Sequence, residues 1–306
     1  MKTPNMFIKL STMLLILLSL GFLSSCESVA KAVNTGTRIA SEKGYIDQGT
    51  ADAITKSADA ISKAAEDITP EQEYYIGRAV GATILTSYKI WNGSPALTAY
   101  LNRICNTLVI NSPKPEIYNG YHVAILDSNE INAFATSGGH IFITRGLLGC
   151  AESEDALAGV IAHEISHIQL QHSIKSIKTS RITQALLVTG SSAASAAGLS
   201  TRELTDIFGE SVGEIVTTMV NNGYSQTQEF DADTNALSLM AGAGYEPSSL
   251  ISMLQVLEKN QAGQSGGFSK THPTPTRRIS NANLFVGKYH LEDTRRYRQA
   301  RYNQTK

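Results

Sequence analysis

The sequence predicts an α+β fold that is predominantly helical and carries one small antiparallel sheet. A first strand is expected near Val123 and Ile125, which alternate with less apolar neighbours. Two further β-type runs, 132–135 and 140–144, flank a pair of glycines, which is typical of a hairpin. The chain after Ser153 has the apolar spacing of helices, so helix dominates the prediction.

The N-terminus has the features of an export signal. Lys2 and Lys9 form a basic start, and the apolar stretch 13–22 is too short to span a bilayer stably. Small residues then precede Cys26, as in a bacterial lipobox, so we expect cleavage before Cys26 and lipid attachment to it. Glu27, where inner-membrane lipoproteins often carry Asp, favours the outer membrane and a periplasmic orientation. An ordinary signal peptide with an incidental cysteine, or an uncleaved anchor, is the alternative.

The charge balance excludes a nucleic-acid-binding function. Without Lys2 and Lys9 the chain has 24 basic and 27 acidic side chains, a net charge of −3. The roughly 280 residues that remain after the signal can bury the core of one large domain. Cys105 and Cys150 lack the spacing of a metal site, and the sequence leaves open whether they pair.

Composition divides the chain into four expected segments. They are a lipoprotein signal peptide (1–25), a lipid-anchored helical linker (26–68), the main domain (69–290) and a basic C-terminal tail (291–306). Thr69, Pro70 and Gln72 have the pattern of a helix start with a capping box, which marks the domain boundary. The linker helix either packs on the domain or acts as a spacer. The charge-free stretch 185–198 is too short and polar to span a membrane and predicts a buried or flexible helical hairpin.

The most specific motif is HExxH at residues 163–167. On a helix His163 and His167 lie one turn apart on one face, so both imidazoles can bind the same metal ion. Glu164 lies beside them as a candidate general base. The apolar stripe that starts at Leu157 runs along the opposite side, whereas core histidines would share that stripe.

A catalytic zinc site needs a third protein ligand. His172 follows His167 at a spacing of five without a midway glycine, which excludes a metzincin site. Glu229 is the better candidate, because Asp233 lies four residues on and shares its helical face. Asp233 would then accept the far N–H of a ligand histidine, expected to be His163. The pattern is that of a gluzincin with one Zn²⁺ per chain, and a solvated acidic face is the alternative.

Several motifs together resemble the HtpX-type zinc metalloendopeptidases. In order they are the lipobox, Asn132-Ala133-Phe134-Ala135 before Gly138-Gly139, Gly146-Leu147-Leu148, the HExxH, the Glu229–Asp233 box and Thr271-His272-Pro273. The resemblance covers roughly residues 70–285 and implies a zincin-like metallopeptidase domain. Gln226 stands where the family often has Arg, and Ser137 where it often has Pro. Neither departure removes a metal ligand.

The resemblance implies a zinc-dependent endopeptidase that hydrolyses misfolded or misassembled envelope proteins. Glu164 would move the proton from the attacking water to the leaving amine. We expect the run 140–144 to be an exposed sheet edge to which an unfolded polypeptide adds as a strand. The residues expected to form this edge are Asn132, Ala133, Phe134, His140 and Ile141. The expected partners are unfolded polypeptides, the membrane through lipid on Cys26, and the envelope assembly machinery.

The alternative function is a non-proteolytic envelope assembly factor or chaperone that retains the zinc fold. Glu164 argues for chemistry, since a binding module does not need the general base.

The resemblance also implies that His272 lies over the metal and that Arg278 points into the active-site cleft. His272 is then either a fourth ligand that keeps the enzyme latent or an oxyanion donor. Pro273 and Pro275 restrict the loop to a few poses and favour the latent arrangement. A proline-rigid surface loop is the alternative.

Overall fold

A computed structural model describes residues 26–64, 67–179, 223–261, 267–272 and 275–305. The predicted signal peptide and the predicted 185–198 hairpin lie outside the described residues. The described chain forms two compact units, and the second begins at Ile68. Lys178 and Thr179 belong to the first unit.

The first unit contains helices α1 (Cys26–Glu42) and α2 (Gln48–Ala64). They are joined by a turn in which Gly44 has a φ of 71°, a conformation that suits glycine. Ala30 and Ala51 are buried, and the side chain of Asn34 donates to Asp59 across the pair. Two helices therefore stand where the sequence predicted one. In the described parts of the chain, every helix is too short or too polar to cross a membrane.

The second unit is predominantly helical with one small sheet, which confirms the predicted α+β class. Its elements are α3 (Pro70–Ser87), α4 (Pro95–Ile110), β1 (His122–Leu126), β2 (Ala133–Thr136), β3 (His140–Thr144), α5 (Arg145–Cys150), α6 (Glu154–Gln169), α7 (Gln226–Gly242), α8 (Ser248–Gln261), α9 (Phe268–Thr271), α10 (Pro275–Val286) and α11 (Arg295–Thr305). The Thr69 side chain and Gln72 form the expected capping box at the start of α3.

The sheet is mixed rather than wholly antiparallel. Its strand order is β1-β3-β2, with β3 antiparallel to β2 and parallel to β1. The hairpin through Gly138 and Gly139, whose φ angles are 86° and 95°, makes β2 and β3 antiparallel. The chain between β1 and β2 skips one strand position, so β1 pairs with β3 instead of β2. The expectation that 140–144 forms an exposed edge is therefore wrong, because β3 is the central strand.

The outer edge of β1 is covered by the chain itself. The side-chain amide of Asn102 donates to the carbonyl of Val123 and accepts from its N–H, both over 2.8–2.9 Å. The N–H of Trp91 donates to the carbonyl of Ile125, and Lys89 accepts from the N–H of Asp127. An added strand would have to displace all of these contacts, so β2 is the edge that remains.

The two faces of the sheet pack against different helices. Phe134 and Phe142 pack with Val80 of α3 on one face, while the other face joins the main core with α4 and α6. Gly77 brings α3 so close that an added Cβ would lie 1.3 Å from the Ser137 carbonyl oxygen. Only glycine permits this approach. The sheet is therefore held between α3 and the helix that carries HExxH.

The segment predicted as a basic tail includes α11, which is docked on the second unit. Arg298 is buried and lies 2.9 Å from Asp155, and Arg301 pairs with Glu154 over 2.5 Å. Tyr302 packs into the main core. Both acidic partners lie in the first turn of α6, so α11 is bound to the N-terminus of that helix rather than solvated.

No disulfide joins Cys105 to Cys150. Cys105 is fully buried in the core, and burial raises the pKa of its thiol to about 12. The Cys150 sulfur accepts a weak bond from the amide of Asn260. Cys105 is therefore an inert core residue.

Candidate metal centre and active site

Helix α6 carries the HExxH residues and is buried along nearly its whole length. Its N-terminus is capped by Ser153, whose hydroxyl accepts from the N–H of Ala156. His163, Glu164 and His167 are each 0–1% exposed. The stripe predicted from Leu157 enters the main core, so packing fixes the orientation of the motif.

Four buried side chains converge on one point: His163, His167, Glu229 and His272. The Nε2 atoms of His163 and His167 are 3.0 Å apart, and Nδ1 of His272 lies 3.3 Å from Nε2 of His163. Glu229 Oε1 lies 3.1 Å from Nδ1 of His272 and 3.5 Å from Nε2 of His167. A tetrahedral zinc ion with bonds of about 2.0–2.1 Å has donor atoms about 3.3 Å apart. The donor types and their spacing therefore fit zinc.

Helix α7 places Glu229 against α6. A capping box formed by Ser225 and Gln228 starts the helix just before Glu229. Farther along, the Asn235 amide donates to the hydroxyl of Ser166 on α6 over 3.0 Å. These contacts fix the rotation of α7, so that Glu229 faces the two histidines.

Asp233 and Arg278 surround the ligands as a buried ion pair. Asp233 Oδ1 lies 2.9 Å from Nδ1 of His163, the atom that faces away from the cluster. Arg278 is fully buried, donates to both Asp233 oxygens over 2.7–2.8 Å, and lies 2.9 Å from Glu229 Oε2. Its guanidinium is thus committed to these carboxylates rather than presented to an open cleft.

The electrostatics of the cluster keep the Glu229 carboxylate ionised. Burial alone would raise the pKa of Glu229, but His272 and Arg278 outweigh it and hold that pKa well below its usual range. Burial and Arg278 disfavour a charged His163, yet bonds to Asp233 and Glu229 prevail and raise its pKa to about 9. A metal ion that binds His163 must therefore displace a proton.

Glu164 lies beside the cluster without belonging to it. It is fully buried, and neither carboxylate oxygen accepts a hydrogen bond from the described residues. Nε2 of His272 is 3.5 Å from its Oε1. Burial raises the pKa of Glu164, which moves this carboxyl toward the range in which it can both take and return a proton near neutrality.

The second ligand histidine has a partner that the sequence reasoning missed. Nδ1 of His172 lies 2.9 Å from Nδ1 of His167, and the ring of Tyr224 stacks on His167 at 3.9 Å. On a continuous helix residues five apart would diverge by about 140°. Gln171, with a φ of 54°, ends α6 and turns His172 back toward His167. This break is the local feature that positions His172.

The segment that ends in His272 is attached to the start of β2. The N–H of Phe268 donates to the Ile131 carbonyl over 2.8 Å, and the Thr271 hydroxyl donates to Asn132 over 3.0 Å. Thr271 and His272 are 2–3% exposed. The surface-loop alternative for His272 is therefore wrong.

A comparison with known families agrees with this geometry. The model of peptidase family M48 matches residues 95–284, well over half of the chain. The chain belongs to peptidase family M48. The matched range contains the whole donor cluster, and the prediction of a metallopeptidase that hydrolyses peptide bonds is confirmed at the level of the family.

Several individual proteins of similar sequence have names that describe proteases. The chain is 28% identical to the "Beta-barrel assembly-enhancing protease" of Yersinia pestis, over 71% of this chain and 47% of the relative. It is 28% identical to the "Metalloprotease LoiP" of Escherichia coli, over 61% of this chain and 71% of that relative. It is also 28% identical to the "Mitochondrial metalloendopeptidase OMA1" of Schizosaccharomyces pombe, over 60% of this chain and 51% of that relative. The chain spans about half the length of the assembly-enhancing proteases it matches.

Proposed function

We propose that the protein is a zinc-dependent endopeptidase that hydrolyses misfolded or misassembled polypeptides in the bacterial envelope. The observation that carries this proposal is the buried cluster of His163, His167 and Glu229 with Glu164 beside it. A metal-binding protein without catalysis gains nothing from an additional buried carboxylate that accepts no hydrogen bond from the described residues.

His163, His167 and Glu229 would hold the ion, which when bound acts as a Lewis acid on the scissile carbonyl. Glu164 takes a proton from the water that attacks the carbonyl carbon. The same carboxyl then delivers that proton to the departing amine nitrogen as the C–N bond breaks. Asp233 accepts the Nδ1–H of His163 and so keeps Nε2 directed at the ion.

The edge of β2 supports a substrate-binding role. The N–H of Thr144 donates to the Asn132 carbonyl, which fixes the alternation of the β2–β3 ladder. The main-chain groups of Ala133 and Ala135 therefore point away from β3. In the described arrangement β2 is buried and the Asn132 side chain accepts from the N–H of Ala133, so this edge must first be uncovered. An unfolded polypeptide can then add there as a strand and be read by its backbone, with little demand on its sequence.

This assignment replaces part of the predicted edge. His140 and Ile141 lie in the central strand and cannot accept an added strand. Phe134 belongs to β2, but its side chain packs against α3. Asn132 and Ala133 remain at the site, since Asn132 contacts both Thr271 and the N–H of Ala133.

The cellular setting is also part of the proposal. A lipobox that ends at Cys26 supports a chain attached by lipid to the envelope, facing the periplasm, with the outer membrane favoured. The name of the Yersinia relative, an assembly-enhancing protease, supports misassembled envelope proteins as substrates and the assembly machinery as a partner.

Glu164→Gln tests the activity directly. The amide keeps the shape of the side chain but cannot accept the proton, so casein digestion should fall at least about 10²-fold while zinc content stays at one per chain. Near-normal turnover by the zinc-loaded variant would refute the role of Glu164. A chain that binds zinc, prevents aggregation and cleaves nothing, even after His272 is replaced by alanine, would instead establish the chaperone alternative.

A further inference from the structure

The two histidines of the HExxH motif have different partners on Nδ1, the ring nitrogen that faces away from the cluster. His163 faces a carboxylate, that of Asp233, whereas His167 faces the imidazole of His172. Nε2 of His167 belongs to the cluster, so a neutral His167 must carry its proton on Nδ1. That proton points at Nδ1 of His172, 2.9 Å away. The contact is a hydrogen bond only if His172 accepts through Nδ1 and carries its own proton on Nε2.

We infer that His172 is a positioning residue for His167, a neutral acceptor that fixes the tautomer and rotation of this metal ligand. The inference rests on the proposed zinc site. His172 is 2% exposed and its backbone is fixed from two sides, because Gln228 Nε2 and the Ser176 hydroxyl both donate to its carbonyl. Gln228 directly precedes Glu229, so the support of one ligand is joined to the helix of another.

A neutral acceptor also suits the charge of the site. The buried carboxylates of Glu164, Glu229 and Asp233 are balanced by Arg278 together with one divalent cation. An acidic residue at position 172 would leave one buried negative charge without compensation, which is costly in a desolvated interior. An imidazole supplies the hydrogen bond without this charge.

The face of the His167 ring is fixed as well. Tyr224 stacks on it with a centroid distance of 3.9 Å and an interplanar angle of 18°, while His172 meets its edge at 74°. One neighbour limits tilting of the ring and the other limits rotation about its axis. Both act on a ligand whose Nε2 must stay within a few tenths of an ångström of its place.

Zinc affinity of the detergent-solubilised chain, measured by competition with a chromophoric chelator, tests the inference. His172→Leu removes the acceptor and should weaken zinc binding about 10- to 100-fold, the effect typical for loss of such a partner. His172→Asn places an amide oxygen where Nδ1 was and should restore affinity to within about threefold. His290→Leu, the same change at an exposed histidine outside the cluster, serves as the matched control.

Wild-type affinity in the leucine variant would overturn the inference, as would an asparagine variant that folds but binds zinc as weakly as leucine. If the leucine variant does not fold, His172→Phe decides. Its ring fills the place of the imidazole without an acceptor atom and should weaken zinc binding about 10- to 100-fold, so wild-type affinity in a folded phenylalanine variant rejects the role. A wild-type chain that binds no zinc would refute the proposed function itself, which separates the two failures.

Discussion

Replacing His272 by alanine should activate the enzyme. Nδ1 of His272 lies 3.1 Å from Glu229 and 3.3 Å from His163, which is the position of a fourth ligand. A zinc site with four protein ligands has no open position, so we propose that the described arrangement is a latent state. The active state requires that His272 leave the cluster and make room for substrate beside Glu164.

The size of the effect follows from the contacts that hold His272. Nδ1 of His272 bonds the charged Glu229, an interaction of about 1.5–3 kcal/mol, and in the zinc-loaded chain a bond from the same nitrogen to the ion would replace it with at least similar strength. Each 1.4 kcal/mol changes a population ratio about tenfold. Alanine at this position should therefore lower the ratio of latent to open chains about 10- to 100-fold. Thr271→Val removes one hydroxyl, which donates mainly to Asn132 at 3.0 Å and lies 3.4 Å from the Phe268 carbonyl. The loss of this neutral donor, about 1 kcal/mol, should activate by roughly fivefold.

The assay is digestion of casein together with self-cleavage, at equal zinc content in all variants. Three ligands remain in His272→Ala, so zinc stoichiometry should stay at one. A fall in turnover of about 10² to 10³ would refute the latch and identify His272 as an oxyanion donor. The threonine variant sharpens this test, because an oxyanion role for His272 predicts no activation when the Thr271 hydroxyl is removed.

Three other changes test separate parts of the molecule. Glu229→Ala should lose zinc, as measured by elemental analysis, whereas Asp231→Ala, at an exposed position on the same helix, should retain it. Stoichiometric zinc in the Glu229 variant would reject Glu229 as a ligand. Arg298→Ala should lower the free energy of unfolding, measured in urea, by about 3–5 kcal/mol, because it leaves the buried Asp155 without its charged partner. The control, Arg296→Ala at an exposed position, should change the free energy of unfolding by less than about 0.5 kcal/mol. Equal effects of the two variants would contradict the docking of α11. Cys26→Ser should abolish acylation and partitioning into the detergent phase, and unchanged partitioning would show that another feature holds the chain at the membrane.

Each pair of side chains on the two helices of the site is predictable from sequence, because helical spacing brings its two members to one face; that the two helices meet is inferred only from the company of the HExxH motif. His163 and His167 share one helical face, and Glu229 and Asp233 share another, whatever the rest of the chain does. The role of His172 depends on a helix break at Gln171, a residue type that does not signal a left-handed conformation. The contact of His172 with His167 therefore could not be predicted from the helical periodicity of the sequence.

Contacts between residues far apart in the chain explain the other differences between the predicted and the observed structure. The sheet order depends on which strand β1 meets after the chain turns back, and a run such as 140–144 has the same alternation in an edge or a central strand. Arg298 and Arg301 have the pattern of a solvated basic helix. Their partners, Asp155 and Glu154, lie more than 140 residues away in the chain, so only the folded structure shows that these charges are paired.

The side chain of Asn102 has a consequence for self-assembly. A protein that keeps a strand edge for unfolded polypeptides also offers that edge to its own copies, and sheets with two such edges can grow into fibres. Here Asn102 occupies the main-chain groups of Val123, so among the described strands only β2 offers an edge through which the sheet can extend. Two copies that paired through β2 would use the one edge that each has and leave none for a third. Polymerisation through this sheet would then stop at the dimer.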